Sequence, residues 1–209
     1  MRKDITKLTL GVDRLLPSID NPLHRAILLN YRRHAMLEIS GRHEEIFVPE
    51  MTIAEPVYRF YNLDPATPFF ELSGRESVQG IYKDLVDRRI TVMMLEHETI
   101  SVADWGFASE ALFHYYTPGH ELGESDRPED FDVEATYLVS RWHAMVWPYD
   151  RRGRMKGEHV YMGIPESVRR LADEEIWQVE EVRAALDPLL NDPAPLGEDH
   201  PTDQRLQYA

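Results

Sequence analysis

The segment Arg141-Trp142-His143-Ala144-Met145 carries a guanidinium and an imidazole two residues apart, the spacing that puts both on one face of a β-strand. If the loop Asp150-Arg151-Arg152-Gly153 closes a hairpin, Tyr149 pairs with Arg154, Met145 stands opposite Glu158, and His143 stands opposite Val160. Arg141, His143, Met145, Glu158 and Met162 then share one face, and Trp142, Ala144, Val146, His159 and Tyr161 share the other. An ordinary glutamate, with a pKa of about 4.3, is a feeble base. Desolvation raises it toward working pH, where such a base contributes roughly 10² to 10⁴ in rate. An imidazole supplies the complementary acid. The arginine, charged at every relevant pH, offers a fixed fork to a carboxylate, phenolate or enolate, or else clamps Glu158 as an ion pair. The opposite sorting, with Trp142, Val146 and Tyr161 in the core and the polar set facing solvent, requires a register shift of only one residue.

A second hairpin is read around Asp104-Trp105-Gly106, between residues 90–102 and 107–116. Pairing across Asp104 and Trp105 places Met93, Leu95 and His97 beside Glu110, Leu112, His114 and Tyr116, and leaves Glu96 and Glu98 as solvated carboxylates on the opposite face. His97, His114 and His143 with a carboxylate make a metal site conceivable, but no pair has diagnostic ligand spacing, so no metal is expected. GxGxxG, Walker, GxSxG and HExxH patterns are all missing, which removes support for nucleotide-cofactor, kinase, serine-hydrolase and zincin chemistry; no cofactor is expected.

These side chains need a scaffold, and the 209 residues are enough for one domain with a core of its own. Without cysteine there is no disulfide framework and no thiolate nucleophile, and the cytoplasm is the default compartment. The net charge of −14, half of it carried after residue 163, repels phosphate backbones and anionic lipid, so neither nucleic acid nor membrane is an expected partner.

Asn21 and Pro22 start a helix that runs to Ser40 and stops at Gly41; a short helix follows over 42–48. Residues 51–61 read as a strand at an edge or bent at Pro56, residues 64–68 as a loop, and Val78, Ile81, Tyr82 and Leu85 as one face of a third helix. Residues 117–134 are too polar and proline-broken for core and read as a lid, a partner-facing loop or a disordered connection. A fourth helix from Glu166 carries Val168, Leu171, Ala172, Ile176, Val179, Val182 and Leu186 on one stripe, with a loose tail after Asn191.

Three stretches in this order, MTIAEPV (51–57), SGRESVQGIYKDL (73–85) and YDRRGRM (149–155), resemble the nuclear transport factor two-like superfamily, which includes ketosteroid isomerase, scytalone dehydratase, SnoaL-like polyketide cyclases and lyases that release formaldehyde from lignin-derived diaryl compounds. The resemblance covers about residues 20–163 and implies an α+β fold: a cone-shaped, curved mixed sheet wrapped around N-terminal helices, with one internal cavity and here an extra C-terminal helix. The implied domain plan is an arm over 1–19, the cone over 20–163, a helix over 164–190 and an acidic tail over 191–209. By the same resemblance Glu55, before a proline, takes the position of the isomerase's general base, and the face with Arg141 and His143 looks into the cavity. Tyr31 or His34 takes the place of the oxyanion-hole tyrosine, depending on whether the count starts from Glu55 or Gly41. Met145 stands where the isomerase has its aspartate, so half of that oxyanion hole is missing and steroid isomerisation is not expected.

Together these readings lead to a cofactor-independent lyase that removes water or formaldehyde from a hydrophobic, aromatic small molecule. Glu55 or Glu158 is the base, His143 the acid, and Arg141 the anchor, with Tyr31 assisting. His34, Tyr58, His97, Leu112, His114, Tyr116, Met145 and Met162 complete the substrate wall. The alternatives are an isomerase or cyclase of the same fold, or a binding or association domain without catalysis. A homodimer paired through the outer sheet face is implied by the resemblance.

Overall fold

The computed structural model describes residues 2–64, 66–195 and 199. Its helices are α1 (Leu10–Leu15), α2 (Pro22–Ile39), α3 (Arg75–Asp87) and α4 (Val179–Leu186). Its strands are β1 (Thr52–Asp64), β2 (Thr67–Ser73), β3 (Met93–Ala103), β4 (Gly106–Pro118), β5 (Thr136–Pro148) and β6 (Met155–Arg170). They form one curved mixed sheet in the order β2-β1-β6-β5-β4-β3, in which only β1 and β6 run parallel. The α+β class and the wrapping of a curved sheet around N-terminal helices are as the sequence leads one to expect. Among the described residues no helix is long and apolar enough to cross a membrane.

Helix α2 forms where the sequence marks it. The Asn21 side chain accepts from the amides of Leu23 and His24, satisfying donors that no intrahelical carbonyl reaches, and Pro22 costs nothing in the first turn. Past its end Gly41 takes φ +68°, the left-handed geometry that stops a helix. Leu23, Ile27, Leu28, Tyr31, Met36 and Leu37 are buried in the core shared with the sheet.

That core extends beyond the boundaries read from sequence. Ile5 and Val12 of the expected arm and Val182 and Leu186 of the expected C-terminal helix are fully or almost fully buried in the same cluster as Tyr58 and Phe107. Neither end up to residue 190 is a loose addition. The helix expected from Glu166 does not exist as such: β6 runs on to Arg170, where Ser167, Val168, Arg169 and Arg170 pair with Ser140, Val139, Leu138 and Tyr137, and α4 starts only at Val179. Ladder hydrogen bonds to a long neighbouring strand outweigh the helical spacing of apolar residues.

Residues 67–73, absent from the sequence reading as a strand, form edge strand β2, where Pro68 is tolerated because one side of the strand is unpaired. Strand β1 is interior rather than an edge; its β6 register shifts between Thr52 and Val57, the stretch containing Pro56. The segment 117–134 contains two short 3₁₀ turns, and Leu122 packs with Tyr137 and Val139. Most of the tail expected to be loose lies outside the described residues.

Candidate active-site cavity

The hairpin of β5 and β6 sets the polar face. Its turn closes one residue later than predicted, since Tyr149 bridges Met155, and the ladder gains one further residue near Gly157, so that Val146 pairs with His159, Met145 with Val160 and His143 with Met162. Two single-residue shifts restore the original parity. His143 and Met145 are buried at 1% and 3% exposure, while Trp142 and Tyr161 stand at 38% and 40% on the outer face. A methyl at Gly157 would overlap the Val57 carbonyl, so only glycine lets β6 approach β1 this closely.

The hairpin of β3 and β4 departs from expectation for one reason. Near its turn Ile100 pairs with Ser109 and Thr99 with Glu110, but beyond it Glu96 pairs with Leu112: a β-bulge with His97 in the left-handed region at φ +56°. Met93 consequently faces Tyr115, and the inner positions of β4 are Phe113 and Tyr115 rather than Leu112 and His114. His97 is turned out and exposed, beside Trp142. His114 bonds Ser140 Oγ at 2.7 Å and Glu96 at 3.0 Å, away from the cavity. The same bulge turns Glu98 inward, so it is not the solvated carboxylate expected.

The resulting cavity holds about 390 Å³, within the range of small-molecule sites. Tyr58, Phe60, Phe70, Tyr82, Phe113, Tyr115 and Tyr116 supply aromatic wall; Met93, Met145, Val160 and Met162 supply aliphatic wall; Glu38, His143 and Glu158 are polar groups of the wall, and Asp84, Arg88 and Glu121 add further charged ones. Of the residues predicted from sequence, His143, Glu158, Tyr58, Tyr116, Met145 and Met162 line this space.

The others do not. Glu55 is exposed, because β1 turns its even-numbered Tyr58 and Phe60 inward, and its carboxylate lies beside Gly74 at the start of α3. Tyr31 sits behind the cavity, donating to Glu98 Oε1 at 2.6 Å. His34 is likewise one layer back, with Nε2 3.0 Å from the Tyr82 hydroxyl and 3.4 Å from Glu38. Arg141 is not a lining residue; it donates to Asp126 Oδ2 at 3.1 Å, tying β5 to the segment 117–134. Glu38 and Tyr82 were missed, although Glu38 lies four residues after His34 on the inner face of α2, a spacing that was readable.

The electrostatics follow from burial. Glu158 receives no hydrogen bond from the described residues, and its accessible surface lies on the cavity wall; desolvation, and then the neighbouring Glu38, raise its pKa well above the carboxylate range. Desolvation, followed by the charge of Arg141, depresses His143 to about 3, so its imidazole is neutral at physiological pH. Its Nε2 lies 3.3 Å from the Tyr115 hydroxyl, an O–H donor when Nε2 is unprotonated. Tyr58 and Tyr82, hydroxyls 3.1 Å apart, and Tyr115 are all pushed upward, chiefly by burial, and remain protonated donors. Among the described residues no three His, Asp or Glu side chains converge as metal ligands.

No protein-family model and no curated protein matches this chain. Solved structures similar to it include a phenazine biosynthesis-related protein from Pseudomonas aeruginosa, 14% identical over 66% of this chain and 83% of that one, with a TM-score of 0.40. An NTF2-like protein of unknown function from Mesorhizobium loti is 14% identical over 78% and 98%, with a TM-score of 0.41. SalBIII, described as an epoxide hydrolase/cyclase-like enzyme in pyran ring formation in the polyether salinomycin, is 11% identical over 71% and 95%, with a TM-score of 0.41. Two of the structural matches are described as NTF2-like proteins of unknown function.

Proposed function

We propose that the chain is a cofactor-independent acid–base enzyme acting on a hydrophobic, ring-containing small molecule, with Glu158 as the proton carrier. The observation that carries this reading is a carboxyl on the wall of an aromatic-lined cavity with no cation partner among the described residues, an environment whose burial raises its pKa. A carboxyl so placed is a stronger base when ionised and a competent acid when protonated near neutral pH. Burying one without a counter-charge is costly, a cost that active sites bear and cores avoid.

The reaction we favour is elimination of water. Glu158 takes a proton from carbon, the C–H pair becomes the new C=C bond, the adjacent C–O bond breaks, and the departing hydroxyl recovers the proton from Glu158 to leave as water. The phenols of Tyr58, Tyr82 and Tyr115, donors on the cavity wall, stabilise negative charge as it develops. The neutral imidazole of His143 holds the Tyr115 hydroxyl in place and is not a cationic acid. Arg141, engaged by Asp126, is a positioning residue rather than a substrate anchor.

The test is incubation with a panel of hydroxylated mono- and diaryl compounds, read by mass spectrometry for loss of water or of formaldehyde, with wild type and Glu158→Gln side by side. Product from wild type and a loss of roughly 10² or more in the variant are expected. Equal turnover by both proteins would remove Glu158 from the chemistry, and product isomeric with its substrate would replace elimination by proton transfer between carbons.

A further inference from the structure

The ionisable groups around the cavity are unbalanced in sign. Glu38, Glu158, Asp84 and Glu121 line it against one cation among the described residues, Arg88. That cation is fully engaged: its Nη1 donates to Asp84 at 2.8 Å, its Nε donates to Glu121 at 3.1 Å, and its Nη2 also donates to Glu121. Arg141 is spent on Asp126 outside the lining, and the His143 imidazole is uncharged. A carboxylate or phenolate guest would therefore be desolvated beside two carboxyls with no free positive charge to meet it, which is strongly unfavourable.

A cation meets the opposite situation. Glu158 has no partner of opposite charge among the described residues, and the one group that faces Glu38 at ion-pair distance is the His34 ring, at 3.4 Å. The phenol rings of Tyr58, Tyr82 and Tyr115 line the same space, and aromatic rings attract a desolvated ammonium group. We propose that the cavity takes a molecule bearing a protonated amine on an apolar, ring-sized body, with Glu158 and Glu38 as its counter-charge. This rests on the reading of the cavity as the functional site and adds the class of molecule it accepts. Bound ammonium would also supply the positive charge that lets Glu158 ionise and act as base.

Three probes of matched shape decide the matter: naphthylmethylamine, naphthylmethanol and naphthoate, titrated calorimetrically into wild-type protein and Glu158→Gln at neutral pH. The amine is expected to bind at least ~10-fold more tightly than the alcohol, and the carboxylate more weakly than either. In Glu158→Gln the amine's advantage over the alcohol should largely vanish while affinity for the alcohol persists, a pattern that a misfolded variant does not produce. Carboxylate binding equal to that of the amine, an unchanged amine preference in the variant, or no binding of the amine at all overturns the proposal. Turnover separates the two readings. If wild type converts neutral or anionic members of the hydroxylated panel but not their amine-bearing counterparts, and Glu158→Gln loses that turnover, the amine assignment alone falls, whereas a fully active variant sinks the catalytic reading.

Discussion

Replacing Glu98 by glutamine removes a charge that the fold disfavours. The bulge at His97 turns this carboxyl inward, where Oε1 accepts from Tyr31 and the buried Oε2 has no hydrogen-bond partner among the described residues. A methyl added to Gly11 of α1 would come within 2.6 Å of that Oε2, so α1 closes directly over it. Burial raises the pKa of Glu98 from 4.5 to about 7, against the opposing effect of the Tyr31 hydrogen bond. A folded-state pKa above the unfolded one means that the native protein holds the proton more tightly. Stability from this group is therefore full below about pH 4.5 and is lost as pH rises to about 7. The shift corresponds to about 3 kcal/mol. Glu98→Gln keeps the acceptor for Tyr31 and never ionises. In urea unfolding the variant should match wild type near pH 4.5 and exceed it by about 3 kcal/mol above pH 7.5, or about 6–12 °C in Tm for a chain of this size. A difference between the two proteins that does not vary with pH, or a variant less stable than wild type above pH 7.5, would refute the burial of this carboxyl.

Other consequences are as direct. Arg141→Ala removes one of the two influences that depress His143, so the imidazole should titrate higher by NMR than about 3, and proteolysis should speed up within residues 119–134 once Asp126 is released. Gly157→Ala forces a methyl against the Val57 carbonyl in the parallel ladder and should cost several kcal/mol in denaturant unfolding, where Gly80→Ala, with open space around it, should be neutral or slightly stabilising. Tyr82→Phe deletes the hydroxyl that His34 and Tyr58 both approach; it should lower turnover more than it raises KM if that hydroxyl stabilises charge in the transition state.

How much of this was legible in the sequence depends on what set each position. Helix α2 was readable because its cap, its proline and its terminal glycine are local signals. The inner placement of His143, Met145 and Glu158 was readable because the parity of side chains along β5 and β6 survives two compensating shifts. His97, Leu112, His114 and Glu98 were misplaced by one bulge, since a single extra residue inverts everything beyond it and no residue type announces it. The run from Val168 to Ile176 has helical spacing yet lies in β6 and the turns after it, because Tyr137 to Ser140 offer it a strand to pair with, a long-range fact that no local window holds. Arg141 was on the inner face by count, but its partner Asp126 lies in a segment whose course the sequence left open.

The most direct measurement is a ¹³C-detected titration of the Glu158 side-chain carboxyl in the intact protein, assigned by comparison with Glu158→Gln. A desolvated proton carrier in an apolar cavity should show a midpoint well above the ordinary value of 4.5, falling when the amine probe is bound. A midpoint at the ordinary carboxylate value, indifferent to the probe, would mean that Glu158 is solvated and that the cavity is not an acid–base site.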